Sequence, residues 1–138
     1  MEIDMPALVF PLTFDRTFQL WSYNVSHSVL LLRSTQTATT PTRVDLMFRG
    51  VQEMRLRSRL DNVEITVSHG GDPAGEFAEV QVSGGRSLFV VSSAALTGGY
   101  VVASSLYLAE DDLSYGEPST IDAPELEDRV VRSGYFPS

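Results

Sequence analysis

Apolar and polar residues alternate at period two through most of this chain, and this limits the fold more than any other feature. Val44, Leu46 and Phe48 share one parity, while Arg43, Asp45 and Arg49 take the other. Val63, Ile65 and Val67 alternate with Glu64, Thr66 and Ser68, and Val80 and Val82 alternate with Glu79, Gln81 and Ser83. Successive side chains of a strand point to opposite faces, so these segments read as strands with one wet face. Val29-Leu30-Leu31-Leu32 and Leu88-Phe89-Val90-Val91 are unbroken apolar runs and read as strands buried on both faces. Tyr100–Leu108 reads as one longer strand, in which Ala103, Ser104 and Ser105 mark a tight packing point or a bulge.

Turn residues separate the runs. They include Asp61-Asn62, His69-Gly70-Gly71-Asp72-Pro73, Thr97-Gly98-Gly99 and Gly84-Gly85, the last a hairpin signal. Ser26-His27-Ser28 joins a strand over 20–25 to one over 29–33, and the threonine-rich stretch 34–42 reads as an exposed loop. One helix is expected over 122–133. Asp122 would be its N-cap, Pro124 would sit in the first turn and Glu125 would complete a capping box. Leu126, Val130 and Val131 would form its apolar stripe, Arg129 and Arg132 its basic last turn, and Gly134 its stop. The expected fold is mainly β: an antiparallel sandwich or partly open barrel of about seven to eight strands at roughly ten-residue spacing, with one short C-terminal helix. With 138 residues, the whole of 1–138 reads as a single β-rich domain, irregular over 1–13. A content of 43% hydrophobic and 20% charged residues argues for an ordered core.

Composition removes several chemistries. There is no cysteine, so no disulfide, thiolate metal site or cysteine nucleophile can form. All ten basic residues are arginine, which excludes a Schiff-base lysine and a P-loop lysine. Arginine without lysine is the footprint of a GC-rich genome. The start of the chain carries Glu2, Asp4, Pro6 and Pro11 and does not read as a signal peptide. No apolar run approaches the ~20 residues of a membrane helix. A cytoplasmic protein without membrane contact is the expectation. The net charge of −8 disfavours nucleic acid as a partner.

Charge is sorted along the chain. Arg55, Arg57 and Arg59 fall at every second position and would form one basic stripe on a strand, extended by Arg49. Guanidinium groups pair bidentately with carboxylate or phosphate, so the stripe is a candidate anion-recognition surface. Residues 110–128 hold Glu110, Asp111, Asp112, Glu117, Asp122, Glu125, Glu127 and Asp128, with no base. Of these, Glu110, Asp111 and Asp112 are candidate binding residues, as internal partners of the stripe or as a surface for a basic protein. Trp21 and Tyr23 share a parity on one strand and are a candidate contact pair.

Catalytic signals are weak. His27 and His69 lack metal-ligand spacing, and the calcium-loop pattern is absent from the acidic stretch, so no metal and no cofactor is expected. His69 with Asp72 and a serine could form a triad, but in a serine-rich chain such a match arises cheaply. There is no G-x-S-x-G, G-x-G-x-x-G or P-loop, and Asn24-Val25-Ser26 is a lone glycosylation sequon. The leading expectation is a non-catalytic protein-interaction module that uses the arginine stripe and the acidic segment. The alternative is a binding protein or enzyme for an anionic small molecule, in which Arg49 or the stripe grips the ligand and His69 or Glu53 supplies acid–base chemistry. Homo-oligomerisation through a strand edge or through Tyr135-Phe136 is compatible with both.

Overall fold

The computed structural model describes residues 5–68 and 75–137. Nine strands form in chain order: β1 (Leu12–Asn24), β2 (Val29–Ser34), β3 (Arg43–Arg49), β4 (Glu53–Arg55), β5 (Arg59–Ser68), β6 (Ser87–Ser93), β7 (Leu96–Ala103), β8 (Ser105–Asp111) and β9 (Val130–Phe136). They make one sheet of order β4-β7-β6-β5-β1-β2-β3-β8-β9, antiparallel throughout.

The order looks open, but two short links draw its ends together. β7 and β8 stand near opposite ends of the sheet, yet Ser104 alone connects them. β3 runs into β4 through Gly50, Val51 and Gln52. The β3–β8 and β4–β7 pairs are therefore one ladder bent at a corner. Bonds from Ser104 N to Arg49 O (2.9 Å) and from Gln52 N to Val102 O (2.8 Å) bridge the corner. This ladder closes the sheet upon itself and removes most of its free edge. Gly50 sits at φ +68°, where a Cβ would collide with the Ser104 side chain.

The enclosed face is the core. Phe18, Leu30, Leu32, Leu46, Phe48, Ile65, Phe89 and Leu106 are fully buried in it. Phe48 of β3 meets Phe89 of β6 at 5.3 Å between ring centroids, and Phe136 of β9 reaches the same ring at 5.6 Å. Strands far apart in the sheet order thus touch across the interior, the alternating pattern of β3 and the run of β6 supplying the rings.

The all-β antiparallel class holds, and several details differ from the expectation. The stretch expected as one strand, Tyr100–Leu108, is two strands bent at Ser104, which places the small residues at the corner. Residues 79–82 are not a strand, so Gly84-Gly85 (φ +68° and +75°) turns the chain into β6 without making a hairpin. No α-helix spans 122–133. Thr120–Asp122 and Pro124–Arg129 are short 3₁₀ segments, and Val130–Phe136 is strand β9. Pairing with β8 claims the residues from Val130 onward and leaves six residues, too few to repay nucleation of an α-helix. Gly134 is not a helix stop. It lets Leu8 approach β9, where a Cβ would strike the Leu8 side chain. Pro6–Leu8, in the stretch expected to be irregular, bond to Tyr135 in a parallel bridge. The turn at 69–73 lies outside the described residues. Among the described residues no helix is long and apolar enough to cross a membrane.

The corner makes a direct prediction. Gly50→Ala should lower unfolding stability by about 2 kcal/mol, from overpacking added to a left-handed backbone. Adding Ser104→Gly should recover part of the loss in urea denaturation. A single variant as stable as the parent would show that the corner is not a close approach.

Candidate functional site

The outer face of β2, β3 and β8 carries charge where a sheet covered on both sides would be apolar. Arg33 stands opposite Asp45 across β2–β3, and Arg43 opposite Asp111 across β3–β8. Both pairs are bidentate. Arg33 Nε and Nη2 donate to Asp45 at 2.7 and 3.0 Å, and Arg43 Nε and Nη2 donate to Asp111 at 3.0 and 3.1 Å. All four side chains are at most 3% exposed.

The remaining guanidinium hydrogens reach backbone carbonyls of the segment that follows β8. Arg33 Nη1 donates to Tyr115 O (2.7 Å) and Glu117 O (3.2 Å). Arg43 donates to Ser114 O (2.9 Å), Glu117 O (2.6 Å) and Pro118 O (2.8 Å). Asp111 also accepts from Leu113 N (3.0 Å) and from the Thr120 hydroxyl (3.2 Å). Residues 113–120 are thereby strapped across the sheet. Glu117 fastens the strap's own turn by accepting from Ser114 N at 2.9 Å and Ser114 Oγ at 3.1 Å. The bond from the Ser114 amide, chiefly, holds the Glu117 carboxyl below its ordinary value.

Between this strap and β1–β2–β3 lies an open cleft of about 750 Å³. Val29, Leu31 and Met47 contribute its apolar lining, Trp21 and Arg49 its large side chains, and Asp122 part of its rim. Trp21 is a bulge residue: the β1–β2 register slips between Leu20 and Ser22. Trp21 faces outward, opposite Leu20, and there the Arg33 guanidinium lies 5.0 Å from its ring and Tyr115 meets it edge-on at 6.3 Å. Tyr23 instead packs against the core, so the two aromatics do not share a face. Arg49 lies 4.5 Å over the Tyr107 ring and donates to Asp122 Oδ1 at 2.8 Å. Their side chains are 38% and 58% exposed, so this ion pair contributes little stability and is open to exchange. Behind it Tyr107 and Tyr135 stack at 4.6 Å, and burial followed by the neighbouring Tyr107 raises the Tyr135 hydroxyl above its ordinary value.

The other sequence candidates are dispersed. Arg55 ends β4 and donates to Thr97 O at 3.0 Å. Arg57 lies in the link to β5, exposed and without a partner among the described residues. Arg59 opens β5 and pairs with Asp61 at 3.3 Å. The three arginines are exposed, but on a bent crossover and not on one strand. None of them meets the acidic stretch. Asp111 is committed to Arg43, Glu110 accepts from Thr42 (2.6 Å) and pairs with Arg132 (3.4 Å), and Asp112 pairs with Arg129 (2.7 Å). Glu53 accepts from the Tyr100 hydroxyl on β7, and this bond is the main reason that the Tyr100 hydroxyl is raised.

His27 is exposed in the β1–β2 turn, 3.1 Å from Ser26 Oγ and 3.3 Å from Asn24 Oδ1, an arrangement without a carboxylate to orient it. His69 and Asp72 lie outside the described residues. Among the described residues no three histidine or acidic side chains are grouped to hold a metal ion. The residues that organise the site, Arg33, Arg43 and Asp45, were missed as candidates. The available signal was a charge inside an otherwise apolar strand, which demands a buried partner.

Two outcomes follow. Arg43→Met leaves Asp111 buried without its partner and should cost about 3–5 kcal/mol in urea unfolding. A loss below about 1 kcal/mol would mean that the strap docks without it. For Glu117, a depressed folded value means a contribution present above the ordinary 4.5 and lost as pH falls through the folded value. The single tryptophan, Trp21, packs on the strap and reports it. Its emission should shift red in a step below pH 4.5, and Glu117→Gln, which cannot titrate, should abolish that step.

No protein-family model, curated protein or solved structure matches this chain.

Proposed function

We propose that this chain is a non-catalytic protein-binding module whose contact surface is the cleft beside the strap. The observation that carries the reading is the pair of large side chains held at that cleft. Trp21 is fixed by Arg33 and Tyr115, and Arg49 is laid over Tyr107 with an exchangeable partner in Asp122. Tryptophan and arginine dominate the energetics of protein contacts, and side chains ordered beforehand lose less entropy on binding. The exposed Glu125, Glu127 and Asp128 follow the strap, while Arg55, Arg57 and Arg59 lie elsewhere on the surface. Both groups act on encounter rate and orientation more than on final affinity. The module is read as cytoplasmic, with a protein partner and without nucleic acid.

Affinity capture from host lysate, followed by binding of the purified partner, tests this. Trp21→Ala and Arg49→Ala should each weaken a near one-to-one partner by about tenfold or more. Serine at Arg55, Arg57 and Arg59 together should mainly change the salt dependence of association. A partner bound equally well by both cleft variants removes this surface from the reading.

A further inference from the structure

A second concavity, of about 410 Å³, lies beyond the cleft, between the middle of β1, the start of β5 and the threonine-rich loop. Arg16, Arg59, Thr17, Thr35, Thr37 and Thr40 are among its lining residues. Its composition differs from the cleft: two arginines among hydroxyls, with no aromatic ring.

Arg16 comes from a second bulge in β1, where the register with β5 slips between Phe14 and Thr17. Its guanidinium is held from behind. Nε donates to Ser34 Oγ (2.7 Å), Nη2 to Ser34 O (3.3 Å) and Thr42 O (2.6 Å), and Nη1 to Thr42 Oγ1 (3.3 Å). One Nη1 hydrogen remains, and every acceptor that the guanidinium meets is neutral. The closest acid is reached at one remove: the Thr42 hydroxyl donates to Glu110, which pairs with Arg132. Half-buried without a carboxylate in contact, the Arg16 cation is only partly compensated, and burial lowers its proton affinity while Glu110 opposes that. Arg59 spends Nε on Asp61 and keeps both terminal nitrogens free among the described residues. The facing acids are Asp61, engaged by the Thr17 hydroxyl at 2.6 Å and by Arg59, and the exposed Asp15.

We infer that this pocket binds a small phosphorylated polyol, a sugar phosphate in chemical class. Its phosphate sits between the Arg59 fork and Arg16 Nη1, and its hydroxyls meet the threonines and Asp15. A guanidinium fork matches phosphate geometry and supplies charge-assisted bonds. The volume lies within the range of small-ligand sites. Asp15, which would repel a bare anion, becomes an acceptor for the hydroxyls of a ligand that carries both groups.

Calorimetric titration of the full chain with glucose 6-phosphate and with inorganic phosphate tests the inference. Glucose 6-phosphate should bind more tightly than inorganic phosphate. Arg59→Ser should weaken it about tenfold or more, with an unchanged unfolding midpoint in the absence of ligand. Arg59→Lys should fall between, and Arg55→Ser, the same charge loss elsewhere on the crossover, should leave affinity unchanged. The Arg16 Nε–H resonance should shift on titration, a readout that needs no Arg16 variant. Equal binding by Arg59→Ser, an equal loss in Arg55→Ser, the absence of binding, or tighter binding of a phosphoserine peptide would each overturn the assignment.

Discussion

Two buried, cross-strand arginine–aspartate pairs hold the functional half of this molecule in place. Arg33–Asp45 and Arg43–Asp111 occupy a sheet face that would otherwise need an apolar cover. Desolvating four charges is costly, and the attraction within each pair repays that only when the remaining donors are satisfied too. Here the strap's carbonyls satisfy every donor left on Arg43 and two of the three left on Arg33. Arg43 donates five bonds, to Asp111 twice and to Ser114, Glu117 and Pro118. The ion pairs and the strap are therefore one unit. Without the strap the arginines would keep unsatisfied donors, and without the arginines the strap would be left with the buried Leu113 and the Trp21–Tyr115 contact as its apolar anchors.

That dependence explains why the acidic stretch is not a uniform charged surface. Its first part, through Asp111, is consumed inside. Its middle lends backbone oxygens, not carboxylates, to the two arginines. Only toward its end, at Glu125, Glu127 and Asp128, do acids stand in solvent without a partner among the described residues. A chain of net charge −8 thus carries less free acidic surface around the strap than its sequence suggests.

The period-two pattern made the β class legible, because every core strand must present apolar residues to one interior. The positions of Leu30, Leu32, Leu46, Phe48 and Ile65 follow directly from it. The final segment was not legible. Asp122, Pro124 and Glu125 carry genuine helix-start chemistry, but capping is a local preference of about 1 kcal/mol, and pairing of Val130–Phe136 along β8 outweighs it. The arginine triplet misled for a related reason. Spacing identifies a common face only within one strand, and a bend between Arg55 and Arg59 breaks the rule. The acids nearest in charge logic were already taken by Arg33 and Arg43, whose significance lay in their apolar flanks.

Bulges explain the remaining gap and tie the two concavities together. β1 carries two register slips, one at Asp15–Arg16 and one at Trp21. Each adds a residue that the opposite strand does not match, so the regular orientation of side chains is broken locally. The first leaves Phe14 and Phe18, four apart, both buried in the core and aims Arg16 at the hydroxyl-lined pocket. The second leaves Leu20 and Tyr23, three apart, both against the core, while Trp21 between them faces the cleft. Strict alternation would turn Arg16 inward with Phe14 and Phe18 and would turn Tyr23 outward with Trp21, so a period-two reading of this strand misplaces Arg16 and Tyr23 while setting Trp21 opposite Leu20, where it stands. Gln19, Trp21 and Thr35 together line a small depression of about 220 Å³ between the two concavities, which makes one twice-bulged strand the shared wall of both. The regular pattern of β1 sets Trp21 at the cleft, and the departures from it aim Arg16 at the pocket and return Tyr23 to the core, so the two functional readings depend on both.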